Sequence, residues 1–142
     1  MRFYHLFFPD HSRTFRYKRW FEISLRTVHL IGISGVCSGY YFQTAQNLWL
    51  PFLYLTTITG ILFITLEIWT NGIWLIQVRG IAIIIKIFLL TCLPFLQGHE
   101  VIMLIIVIII SGLISHAPGD VRYYSVIHGQ RLENMYNIRN QN

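Results

Sequence analysis

The sequence predicts an all-α integral membrane protein, a four-transmembrane-helix bundle with short loops. Of its 142 residues, 54% are hydrophobic and only 12% are charged, and the mean hydropathy is +0.53. A soluble domain carries about twice that share of charged residues. The uninterrupted apolar runs at 81–85 and 101–110 are typical of segments that cross a bilayer.

Turn and interface residues divide the apolar sequence into segments. Trp49 and Pro51 fit the start of a helix at a membrane boundary, and Asn71 with Gly72 indicates a turn. The resulting transmembrane domain, residues 22–116, contains predicted helices at about 22–42, 49–70, 73–96 and 99–116.

The segments that flank this domain are basic. Residues 1–21 mix arginine and lysine with aromatic rings, as in an interfacial segment, and residues 117–142 form a polar tail. Because cytoplasmic loops of membrane proteins are enriched in Lys and Arg, both termini are expected in the cytoplasm of a bacterium, with the helices in its inner membrane. The net charge of +5 then indicates anionic membrane lipid, and not nucleic acid, as a partner.

The first predicted helix carries a face of ionisable and small residues. Arg26, His29, Gly32, Gly35 and Gly39 are three or four positions apart, so they share one side of a helix. Small residues let membrane helices approach closely. We therefore expect helix packing at these glycines, and likewise at Gly60 and Gly112.

Ionisable side chains inside the predicted helices point to a buried polar cluster of Arg26, His29, Glu67, Arg79 and Lys86. A charge at the centre of a membrane helix is normally paired, and Glu67 is the acid placed to partner Arg26, Arg79 or Lys86. If the third helix enters the core near Arg79, Lys86 reaches Glu67 or His29. If it enters at Ile73, Lys86 lies near the midplane and faces another chain or a cavity.

Two histidines raise the question of a cofactor. His29 and His116 are both expected in the cytoplasmic half, and imidazole is a usual axial ligand of haem b, which makes haem b the candidate cofactor; hydrogen-bonded packing histidines are the alternative. His99 and Met103, four residues apart, make a poor copper site, and no metal site is predicted. The sequence shows no nucleophile–base constellation, phosphate loop or paired carboxylates, so no catalytic residues are predicted.

Two stretches resemble four-helix membrane families, the copper-resistance D proteins and the HemJ-type protoporphyrinogen oxidases. They are LRTVHLIGISGVCSG, which contains His29, and RGIAIIIKIFLL, which contains Lys86. The resemblance implies that His29 and Lys86 are functionally important, as a first-helix histidine and a later intramembrane lysine are in the HemJ-type enzymes. Residues 115–129 also have the look of a family signature, to which no family is assigned.

Two functions from different classes follow. The leading hypothesis is a non-catalytic accessory subunit of a larger membrane protein complex, packed against other subunits through glycine-rich helix faces and ordered tails. The alternative is a haem b- or copper-handling membrane protein that uses His29, Lys86 and His116. A transporter is disfavoured because four helices without an unwound segment offer little room for a substrate.

Overall fold

A computed structural model of the chain describes Pro9, residues 12–96 and residues 98–132. These residues are mostly helical, which confirms the all-α prediction. They form two compact units, one comprising Thr14–Leu66 and the other the remaining described residues. The predicted interfacial and tail segments at 1–8, 10–11 and 133–142 lie outside the described residues.

The first unit is a helical hairpin. Helix α1 spans Lys18–Tyr41 and helix α2 spans Gln46–Thr70, of which the last turn belongs to the second unit. The connection is short and reverses the chain through Gln43, whose φ of 49° lies in the left-handed region. Helix α1 begins four residues before the predicted boundary and α2 three residues before it. Pro51, predicted at the start of the helix, is therefore the sixth residue of α2 and lies beyond its first turn, where it leaves one backbone carbonyl without an N–H partner.

In the second unit, a tight 3₁₀ turn at Gly72–Ile76 precedes helix α3 at Val78–Cys92. The Asn71 side chain caps this turn by accepting a 3.1 Å hydrogen bond from the Ile73 N–H. At Gly80, a Cβ atom would collide with the Trp74 carbonyl, so the chain can fold back this closely only at a glycine. The third helix is predicted at about 73–96, with entry at either Ile73 or Arg79. Its α-helical part is shorter, because extended Gln77 separates it from the preceding 3₁₀ turn and a second 3₁₀ turn follows at Leu93–Phe95.

Helix α4 spans Glu100–His116 and packs along α3. A single helical turn, α5 at Gly119–Arg122, follows it, and then strands β1 at Tyr124–Ser125 and β2 at Gln130–Arg131. The strands pair antiparallel, with Tyr124 opposite Arg131 and Ser125 opposite Gln130. The segment predicted as a plain polar tail is therefore folded as far as residue 132.

Among the described residues, one helix, α2, is long and apolar enough to cross a membrane. Helix α4 is apolar but has only 17 residues, and α3 has 15. Helix α1 has 24 residues but includes charged side chains in its first turns and glycines later. The described residues thus contain one clear candidate membrane span.

Candidate functional site

Within the two units, the predicted polar residues have three sets of partners. Arg26 and His29 lie in the helical hairpin of the first unit. Glu67 and Arg79 lie where the chain turns between α2 and α3, and Lys86 lies in the middle of α3.

His29 is tied to the facing helix through Thr59. The His29 Nδ1 and Thr59 Oγ1 atoms are 2.9 Å apart, and Thr59 is 5% exposed. The Thr59 hydroxyl also lies 2.7 Å from the Leu55 carbonyl, which can only accept a hydrogen bond. The hydroxyl proton is therefore donated to Leu55, and the Thr59 oxygen accepts the Nδ1–H of His29. This pair gives His29 the hydrogen-bonded packing role that the sequence left open.

The glycines of α1 are covered by a complementary row of side chains on α2. A methyl group added to Gly32, Gly35 or Gly39 would overlap Thr56, Phe52 and Trp49, respectively. These three glycines therefore allow the close approach that their spacing predicts. A Cβ at Gly60 would lie 3.2 Å from the His29 ring, so Gly60 also faces α1.

This packing decides whether a haem can fit beside His29. The glycines beside His29 would have to leave room for a flat macrocycle, but Thr56, Phe52 and Trp49 fill the space over them. The residues around His29 therefore do not fit a haem on the glycine face.

Arg26 is exposed on the hairpin, and it contacts the facing helix through an aromatic ring. Its guanidinium lies 5.0 Å from the centre of the Phe63 ring, a cation–π contact one turn before His29 along α1. Arg26, His29 and the three glycines thus follow one face of α1, as their spacing predicts.

Glu67 and Arg79 form an ion pair with 3.8 Å between Oε2 and NH1, and the Glu67 side chain is only 9% exposed. Arg79 Nε also donates a 2.6 Å hydrogen bond to Gln77 Oε1. Gln77 is 1% exposed, and its Nε2 donates a 2.6 Å hydrogen bond to the Leu132 carbonyl. Together with Ser125, which is fully buried and bridges to Gln77, these residues form what we call the Gln77 junction (Glu67, Gln77, Arg79, Ser125 and Leu132).

Lys86 joins α3 to α4. Its Nζ donates a 3.0 Å hydrogen bond to Ser111 Oγ, and that hydroxyl donates to the Val107 carbonyl at 2.8 Å. The structure gives Lys86 no ion pair within the described residues. The sequence left open whether Arg26, Arg79 or Lys86 is the partner of Glu67. The structure pairs Glu67 with Arg79, and the ammonium group of Lys86 contacts a neutral hydroxyl.

The remaining predicted site residues lie elsewhere. His116 is exposed at the end of α4, in the second unit. Gly112 is also exposed, and a methyl group added there would meet none of the described residues within 4 Å. Over the described ranges, no group of three or more His, Cys, Asp or Glu residues is arranged to hold a metal ion.

Several partners were missed by sequence reasoning. Thr59 and Ser111 look like ordinary polar residues of membrane helices, and only the packed structure pairs them with His29 and Lys86. Tyr123 lies within the stretch 115–129, and its ring is contacted by Arg79. The density of polar and aromatic residues there was the one available signal.

Comparisons with known proteins identify no relative of this chain. A scan against protein-family models, a search of curated proteins and a search of solved structures each found no match to this chain. The resemblance to the copper-resistance D and HemJ-type families therefore stays a prediction.

Proposed function

We propose that this chain is a non-catalytic accessory subunit of a larger membrane protein complex. In this proposal α1, α2, α3 and α4 each cross a bacterial inner membrane, and both termini are cytoplasmic. The proposal is supported by the apolar character of α2 and α4 and by the position of the Lys- and Arg-rich segments.

The observation that carries the proposal is the environment of Lys86. With a rise of 1.5 Å per residue, Lys86 lies about 12 Å along α3 from its first residue. A charged side chain this far into a membrane helix is normally paired with an opposite charge or faces water. Its described partner is the neutral hydroxyl of Ser111, 3.0 Å away. We infer that an acidic side chain of another subunit supplies the counter-charge.

The lengths of α3 and α4 support the same proposal. At 15 and 17 residues, they extend for about 22 and 26 Å, whereas the hydrocarbon core of a bilayer is about 30 Å thick. Short spans are accommodated by thinning the bilayer or by association with other helices. A neighbouring subunit would cover the large apolar side chains that α3 exposes, among them Ile84 and Phe88.

The haem- or copper-handling alternative has less support. It would use His29, Lys86 and His116, but the space beside His29 is filled and Lys86 is hydrogen-bonded to Ser111. An absorption spectrum of the purified protein tests this alternative, since a Soret band that disappears in His29→Ala would favour it over the subunit proposal.

Blue native electrophoresis of gently solubilised native membranes tests the subunit proposal. We expect the chain to migrate in a complex much larger than 16.7 kDa. Lys86→Met should release it from that complex, because the substitution keeps an unbranched side chain but removes the ammonium group, and with it the charge and the hydrogen bond to Ser111. Lys86→Arg should retain it, and Lys18→Met, near the start of α1, is a matched control for the loss of one lysine. Migration of the wild-type chain alone would contradict the proposal.

A further inference from the structure

Three guanidinium groups surround the ring of Tyr123 at the end of the second unit. The guanidinium carbons of Arg79, Arg122 and Arg131 lie 4.8, 5.7 and 5.8 Å from the ring centre. We call these four residues the Tyr123 cluster. Its parts come from α3, from α5 and from β2, so the fold brings together cations that are far apart in the sequence.

Two of the three guanidinium groups have an acidic partner among the described residues. Glu67 pairs with Arg79, and Asp120 pairs with Arg131. Arg122 has no ion pair among the described residues, and its Nε is buried without a hydrogen-bond partner there. Arg122 is therefore the guanidinium of the cluster that carries an unused donor within the described part of the chain.

A guanidinium in this setting favours an oxyanion. Arginine donates planar, forked N–H pairs that match the oxygens of a phosphate group, and stacking on an aromatic ring holds the plane in a fixed orientation. Leaving a buried charged donor unsatisfied is unfavourable, so binding of an acceptor at Arg122 removes a penalty as well as forming a bond.

We propose that the Tyr123 cluster binds a phosphate group, with Arg122 as its principal donor and Arg131 beside it. The cluster lies just after α4 and therefore, in a membrane-inserted chain, at the level where lipid headgroups are found. The phosphate could belong to an anionic phospholipid or be free inorganic phosphate, since both present the same oxygens. The lipid source rests on the membrane insertion of α4 proposed above, but the site does not depend on the proposed partner subunit.

The lipid source is tested by native mass spectrometry of the full-length chain, released from nanodiscs that contain equal amounts of phosphatidylglycerol and phosphatidylcholine. We expect the wild type to retain phosphatidylglycerol preferentially and Arg122→Gln to retain at least about tenfold less, as expected for a lost charge-assisted hydrogen bond. Arg19→Gln changes the net charge equally but alters an exposed residue of α1, so it should behave as wild type.

The free-phosphate source is tested by titrating inorganic phosphate into delipidated protein in neutral detergent, followed by ³¹P line broadening. Broadening that is lost in Arg122→Gln, without any lipid preference, would support the site and assign free phosphate as its ligand. If Arg122→Gln does not fold, as judged by circular dichroism, Arg131→Gln serves instead, because its side chain is 49% exposed. Equal lipid retention and equal phosphate binding in the wild type and the folded variants would overturn the proposal.

Discussion

Gln77 and Leu132 are 55 positions apart in the sequence and are joined by a 2.6 Å hydrogen bond from the Gln77 side chain to the Leu132 carbonyl. Gln77 is also the extended residue that separates the 3₁₀ turn from α3. The Gln77 backbone therefore starts α3, since its carbonyl accepts hydrogen bonds from the Gly80 and Ile81 N–H groups, while its side chain holds the last described residue after strand β2. The Leu132 side chain is fully buried, so it packs into the interior of the second unit.

Loss of the Gln77 side chain should detach the β1–β2 strand pair from the start of α3. In Gln77→Leu the Leu132 carbonyl and the Arg79 Nε both lose a partner, and each such loss typically destabilises by about 1–3 kcal/mol. We expect trypsin to cleave after Arg131 much faster than in the wild type. Gln46→Ala, at the exposed start of α2, is the control. An unchanged cleavage rate in Gln77→Leu would show that the junction does not hold the hairpin.

The glycines of α1 should not tolerate even one methyl group. Gly35→Ala places a Cβ against the Phe52 ring, and such overpacking is expected to lower the free energy of unfolding by about 1–3 kcal/mol. Gly112→Ala is the matched control, because its surroundings are open and alanine favours a helix by about 1 kcal/mol. Unfolding by SDS, followed by circular dichroism, measures both. Equal midpoints for the two variants would contradict the packing described for α1 and α2.

His29 and Thr59 should be energetically coupled. Because the Nδ1–H of His29 is donated to Thr59, His29→Leu and Thr59→Val remove the same hydrogen bond. A double-mutant cycle of unfolding free energies should give a coupling of about 0.5–1.5 kcal/mol. Additive effects of the two substitutions would mean that the ring is not held by this hydroxyl.

The orientation predicted from the basic segments can be tested by cysteine labelling. Single cysteines are introduced in a background from which Cys37 and Cys92 have been removed. His99→Cys lies in the connection between α3 and α4, and Ile127→Cys lies in the turn between β1 and β2. A membrane-impermeant maleimide added to intact cells should label only His99→Cys, and permeabilisation should expose Ile127→Cys. Labelling of Ile127→Cys in intact cells would reverse the proposed orientation.

The helices of this chain could be predicted from the sequence, whereas most contacts of the polar residues could not. Apolar runs and glycine spacing are local signals, so the positions of α1 and α2 and the packing face at Gly32, Gly35 and Gly39 were predictable. The filling of that face was also encoded, since Trp49, Phe52 and Thr56 are three and four positions apart on α2.

The junction and the lysine contact carried no comparable signal. Gln77 is one polar residue among apolar neighbours, and its partner is a backbone carbonyl that any residue could provide. The serine that contacts Lys86 is one of two on α4, and the choice between Ser111 and Ser115 depends on how α3 and α4 pack. Such partners are set by tertiary structure and not by sequence spacing.

Site-specific photo-crosslinking beside Lys86 tests the subunit proposal most directly. Leu90 lies one turn further along α3 on the side of Lys86 and is 41% exposed, so a photoreactive amino acid at position 90 samples what covers that face. We expect one discrete adduct with a different membrane protein, which disappears when Lys86→Met is introduced into the same chain. Adducts with lipid alone, or only with a second copy of this chain, would contradict the account.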